Sequence, residues 1–169
     1  MEEEVILAKK GNKEAFQKLI LANKVGMYKA AICILKNDED SKDAMQNSII
    51  QAYENIGKLK NNIYFKTWLM RILIHECYKM IHQNRKVISF PGDYQESSYD
   101  TYPSDVSHIS KMIYSLPEEF RMVIILFYYN DLPIKDISEL LKIPEGTVKS
   151  RLNRAKEHLR KMSEESEGC

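Results

Sequence analysis

From Glu14 to Lys36 the apolar residues Ala15, Phe16, Leu19, Ile20, Val25, Met27, Tyr28, Ala31, Ile32 and Leu35 recur mostly at intervals of three and four, with no proline and one glycine. That spacing predicts one long amphipathic helix. Asn37-Asp38-Glu39-Asp40 then supplies a break and an acidic start for a second helix, Glu39 to about Ile56, because acidic side chains favour the positive end of a helix. Its apolar members are Ala44, Met45, Ile49, Ala52, Tyr53 and Ile56. After the loop Gly57 to Asn62, a third helix is predicted from Phe65 to about Arg85, with Phe65, Trp68, Leu69, Ile72, Leu73 and Met80 on one side at about 100 degrees per residue.

Residues 87–106 carry two prolines, a glycine, four serines, four acids and no base, with neither helical nor strand period. They are expected to be a flexible linker. Helical pattern resumes at Ser107, and Pro117-Glu118-Glu119 marks a new start, since proline's missing amide costs nothing in a first turn. That helix is expected to reach about Tyr129. With no internal repeat and no useful strand-period segment, the fold class expected is all-α. Two small helical domains, 1–86 and 107–162, are joined by the acidic linker 87–106 and followed by a tail, 163–169.

Charge sharpens this division. The 169 residues are almost neutral overall, at +1, but residues 1–86 hold 15 basic and 10 acidic groups while the linker is purely acidic. The 44 % hydrophobic content is that of a folded, soluble chain rather than a disordered one. The longest apolar run, Met122 to Tyr129, has eight residues, against the ~20 that a membrane span needs. The acidic start Met1-Glu2-Glu3-Glu4 is unlike a secretory signal, so a cytoplasmic, reducing location is expected. Cys33, Cys77 and Cys169 are odd in number and far apart, which argues against a disulfide framework; Cys33 and Cys77 read as small buried apolar side chains.

The most informative segment is Leu132 to Lys161. Ile134, Ile137, Leu140 and Leu141 make a short helix, Lys142 to Pro144 a turn, and Val148, Leu152, Ala155 and Leu159 the buried side of a second helix. Together they form a helix-turn-helix. On the second helix Lys149, Arg151, Arg154, Lys156, Arg160 and Lys161 face only Glu157 in opposition, so a DNA major groove, with its phosphates, is the fitting partner. Lys149, Ser150, Asn153 and Arg154 could reach base edges. A solvated basic helix face is the alternative.

On the third helix, Thr67, Arg71, His75, Tyr78, His82 and Arg85 form a stripe opposite the apolar face, with Trp68 on its border. Aromatic faces stack unpaired bases while cations track phosphates, so the stripe suits single-stranded nucleic acid; an ordinary polar helix face would look the same. His75, Glu76, Cys77 and His82 lack zinc-site spacing, and no phosphate loop or nucleophile motif occurs, so neither metal, cofactor nor enzymatic activity is expected.

Over about residues 9–161 the chain resembles a bacterial RNA polymerase sigma factor of the extracytoplasmic-function type. The resemblance rests on Leu116-Pro117-Glu118-Glu119-Phe120-Arg121, Ile137-Ser138-Glu139-Leu140-Leu141, Glu145-Gly146-Thr147-Val148-Lys149-Ser150-Arg151-Leu152 and Arg154-Ala155, which look like region 4. Lys10-Gly11-Asn12-Lys13-Glu14-Ala15-Phe16, Asp43 with Gln46, and Phe65-Lys66-Thr67-Trp68-Leu69-Met70-Arg71-Ile72 resemble region 2. The resemblance implies that Asp43 and Gln46 lie in or beside the contact with core RNA polymerase. It implies that Asn61, Asn62, Tyr64, Trp68, Arg71, His75, Tyr78, His82 and Arg85 melt and capture the minus-10 element. Thr147, Lys149, Ser150, Arg151, Asn153, Arg154 and Lys156 would read the duplex minus-35 element, and the acidic linker would thread the polymerase's basic channel.

The chain departs from the family pattern at several positions. Ser41-Lys42-Asp43 stands where Ala-Glu-Asp is frequent, His75 and Lys79 where Asn and Asp are frequent, Pro133 in place of a capping serine, and Lys142 where glycine is common. A positive backbone angle at Lys142 would therefore carry mild strain. The stretch Phe65 to Val87 resembles subgroups paired with membrane-anchored anti-sigma factors of the envelope-stress kind. A free-standing helix-turn-helix regulator is the alternative function, with residues 1–86 as a sensing or dimerisation domain; a hydrolase or metalloenzyme on a helical bundle is disfavoured.

Overall fold

The computed structural model describes residues 1–87 and 108–167, excluding the side chains of 84–87 and 165–167. The expected linker lies outside the described residues except for Val87, which closes a helix. The chain divides into two compact units, Met1–Ser104 and Asp105–Cys169, and the described parts of both are helical without a strand.

The first unit holds α1 (Glu2–Lys9), α2 (Lys13–Leu35), α3 (Asp38–Asn55) and α4 (Phe65–Val87), with single 3-10 turns at Ile56–Lys58 and Asn62–Tyr64. Polar caps set the boundaries. Asn12 Oδ1 accepts the Ala15 amide at 2.9 Å, and Asn37 Oδ1 accepts the Asp40 amide at 2.9 Å. Gly11, at φ 90°, makes the turn between α1 and α2. Lys36, at φ 56°, closes α2 in the left-handed region. Tyr28 then ties α2 to the start of α3, its hydroxyl donating to Asp38 at 2.8 Å.

α2, α3 and α4 pack mutually, and α1 lies on α2. Ala30, Ala31, Ala44 and Ala52 are fully buried; small side chains there let the helix backbones approach closely. Phe65, Leu69, Met70 and Leu73 of α4 fill the space between them. One expectation fails in this core. Val25 fits the apolar spacing of α2 yet is 62 % exposed, because Asn23, Gly26 and Met27 face inward instead. Asn23 tolerates burial by donating its amide to the Leu19 carbonyl at 2.7 Å. Cys33 and Cys77 are buried as expected, and burial pushes the Cys77 thiol up to about 12, leaving it protonated and unreactive.

The second unit holds α5 (His108–Ser115), α6 (Glu118–Ile124), α7 (Ile134–Leu141) and α8 (Glu145–Glu167). The helix expected to reach Tyr129 changes character at Ile125, becoming a π-helical turn through Tyr129. The Asn130 amide bonds to the Ile125 carbonyl at 3.2 Å, five residues back, and the Asn130 side chain adds a second bond at 3.1 Å. Such a turn shifts the register by one residue. Met122 to Leu126 are buried, whereas Tyr128 reaches the surface, with Lys156 of α8 5.7 Å from its ring centroid. α8 continues through Glu167, so most of the expected tail is helical.

Arg121 is a buried cation that periodicity did not reveal. Pro117 interrupts the path from α5 to α6, and the guanidinium of Arg121 donates to the Leu116 carbonyl at 2.9 and 3.3 Å.

Candidate nucleic-acid interfaces

α7 and α8 form the helix-turn-helix. Ile137, Val148, Leu152 and Ala155 are buried, while Lys149, Ser150, Asn153, Arg154 and Lys156 are exposed on α8 and Thr147 is half-buried. The turn is fixed by hydrogen bonds: the Ser138 hydroxyl donates to the Ile143 carbonyl at 2.6 Å, and the Ile143 amide to the Ser138 carbonyl at 3.1 Å. Lys142 adopts φ 55°, ψ 43°, so the strain expected where glycine is common is present. Pro133 begins α7 without a side-chain cap, and the Pro144 carbonyl accepts the Thr147 and Val148 amides that begin α8.

Arg151 stands apart from the other basic residues. Its guanidinium donates to Glu119 of α6 at 2.8 Å and is only a quarter exposed, so it links α8 to α6. Ser150 donates its hydroxyl to the Thr147 carbonyl at 3.0 Å.

In the first unit the exposed face of α4 carries Arg71, His75, Tyr78 and His82, spaced four, three and four. Trp68 is half-buried on its border, its ring 6.0 Å from that of Phe65. Thr67 does not belong to this face: at 7 % exposure it points into the bundle. The side chain of Arg85 lies outside the described residues. Ahead of α4, Tyr64 is exposed. Asn61 uses its side-chain oxygen to accept the Ile63 amide at 3.1 Å, and that of Asn62 accepts from the Lys9 ammonium at 2.6 Å. Both asparagines therefore shape the loop.

Asp43 and Gln46 are exposed together on α3, and the same face continues through Asn47 and Ile50. Glu76 of α4 is a carboxylate whose burial, at 3 % exposure, its spacing does not reveal. Its oxygens accept from Gln51 Nε2 at 2.6 Å and Lys79 Nζ at 3.0 Å. Burial acts to raise the carboxyl, yet the bonds from Lys79 and Gln51, with the nearby charges of Lys79 and His75, hold it below its ordinary value of 4.5. A depressed folded value contributes stability that is present above the ordinary value and lost as pH falls through the folded one. Glu76→Gln should therefore cost about 1–3 kcal/mol at neutral pH, and the gap from wild type should close on acidification. Urea titrations at neutral and acidic pH check this; a gap that persists in acid would refute it.

Among the described residues no helix is long and apolar enough to cross a membrane, and no cluster of His, Cys, Asp and Glu could hold a metal ion. The fold and these surfaces define an all-α protein of two helical modules, the second ending in a basic helix-turn-helix. Residues 19–87 match Sigma-70 region 2, and residues 109–159 match Sigma-70, region 4. The chain is 31 % identical to the ECF RNA polymerase sigma factor SigW of Bacillus subtilis over 170 residues, covering 90 % of this chain and 91 % of that one. It is 27 % identical to the RNA polymerase sigma factor SigV of the same organism, covering 80 % and 83 % of the two chains. The fold is shared with the sigma factor RpoE solved in complex with the anti-sigma factor NepR from Bartonella quintana, at TM-score 0.68 and 24 % identity over 90 % of this chain and 98 % of that one. The chain belongs to the extracytoplasmic-function group of the sigma-70 family of RNA polymerase sigma factors.

Proposed function

We propose that this chain is a promoter-specificity subunit that binds core RNA polymerase, recognises minus-35 and minus-10 elements, and opens the DNA for initiation. The observation that carries this reading is the presence, in one chain, of segments matching region 2 and region 4, the former bearing the exposed stripe of α4. In this reading α8 enters the major groove of the minus-35 duplex. The α4 face and the loop before it stabilise flipped minus-10 bases, with the cost of unstacking offset by aromatic contact. The exposed side of α3, with Asp43 and Gln46, docks on polymerase, and the acidic linker 87–106 occupies its basic channel. Catalysis belongs to the polymerase.

An anti-sigma factor, membrane-anchored and belonging to an envelope-stress circuit, is the proposed inhibitor; it would hold this otherwise cytoplasmic chain at the inner face of the membrane. The exposed Leu21 and Val25, one turn apart on α2, offer apolar surface for such a partner. Equal core binding with and without a candidate inhibitor would refute this regulation.

Run-off transcription with purified core polymerase on a pooled library of upstream regions tests the function. Discrete new start sites preceded by two shared elements are expected; footprints on duplex DNA without core binding would instead establish a free-standing regulator. Trp68→Ala and Tyr78→Ala should each weaken opening by about 1–3 kcal/mol per lost stacking contact. Permanganate footprints as strong as those of wild type would remove the two rings from the interface. Because Trp68 also packs on Phe65, its truncation removes packing as well as stacking.

A further inference from the structure

Lys9 ends α1, a helix that lies wholly before residue 19, where the match to region 2 begins. Its side chain crosses to a part of the chain fifty residues away. The ammonium donates to the Leu59 carbonyl at 2.5 Å and to Asn62 Oδ1 at 2.6 Å. These acceptors stand on either side of Lys60 and Asn61, so a single cation joins the two ends of a short loop. Between and after them Lys60, Asn61, Ile63 and Tyr64 are exposed, whereas Leu59 is buried.

The base of the clamp is itself fixed. Val5 and Ala8 are buried on the inner face of α1, and the amides of Lys10 and Gly11 close the helix onto Leu7 and Ala8 at 3.0 and 2.9 Å. On the other side, the Asn61 side chain accepts the Ile63 amide at 3.1 Å and its carbonyl accepts the Tyr64 amide at 3.2 Å. The loop is thus held inward by Lys9 and Leu59, with its outer side chains turned to solvent. An ammonium suits this position because its three donors can serve acceptors in divergent directions.

We infer that Lys9 is a positioning residue for strand capture, clamping the loop in the shape that presents Ile63 and Tyr64 to an unstacked base. The inference rests on the function proposed above. A loop ordered in advance meets its entropy cost during folding rather than at the moment of binding, which strengthens the captured complex. α1 is then part of the promoter-opening machinery although it lies before residue 19, where the match to Sigma-70 region 2 begins.

The test uses holoenzyme reconstituted from core polymerase and the full chain as wild type, Lys9→Met, Lys9→Arg, Asn62→Leu and the double variant Lys9→Met/Asn62→Leu. The probe is a fluorescent single-stranded oligonucleotide carrying the non-template minus-10 element of a start site found by run-off transcription. Asn62→Leu should weaken binding about ten-fold, the effect of losing one charge-assisted hydrogen bond, and Lys9→Met, which also removes the bond to the Leu59 carbonyl, by at least as much. The double variant should be no weaker than the poorer single one, Lys9→Arg should recover most of the affinity, and core binding should be unchanged. Wild-type affinity in Lys9→Met, additive losses, or a parallel loss of core binding would each overturn the clamp. Failure of wild-type holoenzyme to bind the oligonucleotide would overturn the loop's assignment as the capture element, and the clamp with it.

Discussion

Phe65→Ala should unfold the first unit at temperatures where the wild type is intact, while Tyr64→Ala, one residue earlier, should leave stability almost unchanged. Phe65 is 1 % exposed and opens α4, its amide also closing the 3-10 turn onto Asn62. Truncating such a ring costs about 3–5 kcal/mol in lost transfer energy and residual cavity, a large share of the roughly 5–15 kcal/mol that holds a domain together. The expected fall in melting temperature is on the order of 12 °C or more. Tyr64 is 51 % exposed, and a surface truncation of that kind stays within about 0.5 kcal/mol. The chain has one tryptophan, Trp68, packed beside Phe65, so its fluorescence reports unfolding of the first unit alone. A Phe65→Ala midpoint within about 1 kcal/mol of wild type would show that the bundle collapses onto the gap more completely than cavity energetics allow. Because the two side chains are neighbours, the pair also separates fold from function: Tyr64→Ala should fold normally and lose strand capture.

The features legible in the sequence are those that one helix encodes by itself. The extents of α2, α3, α4 and α7 follow from apolar spacing and from Asn, Asp, Pro and Lys at their ends, and α8 is marked by both periodicity and charge. Contacts between distant residues are a different matter. α1 has eight residues and only Val5 and Ala8 buried, too few for a period to emerge. Lys9 looks like one lysine among many until the fold brings Leu59 and Asn62 to it, and Glu76 looks like part of a polar face until Gln51 and Lys79 surround it. Thr67 and Val25 show the converse. Each fits a face by spacing, but which neighbouring helix covers that face is decided by packing, and it places Thr67 inside and Val25 outside.

For α8 the decisive result is the double substitution Lys149→Ala/Arg154→Ala, expected to weaken minus-35 recognition by about thirty-fold or more without affecting the fold. Both side chains are exposed, on a helix whose buried side is Val148, Leu152 and Ala155. A side chain that makes a good base contact contributes about 1–3 kcal/mol of discrimination. Removing two should weaken specific binding by roughly 2–6 kcal/mol if the losses add, about thirty-fold at the least. Arg151 provides the contrast. Its guanidinium already serves Glu119 at 2.8 Å, and an exposed pair of this kind is worth about 1 kcal/mol or less. Reaching a phosphate would require exchanging one anion for another, so Arg151→Ala should cost less affinity than either Arg154→Ala or Lys149→Ala. Salt titrations distinguish the modes of contact: loss of a phosphate contact lowers the salt slope by about one, whereas loss of a base contact relaxes sequence preference at one position. Binding by the double variant as tight as wild type would exclude this face of α8 from the groove, and the basic surface of the second unit would then be a solvated face rather than a reading head.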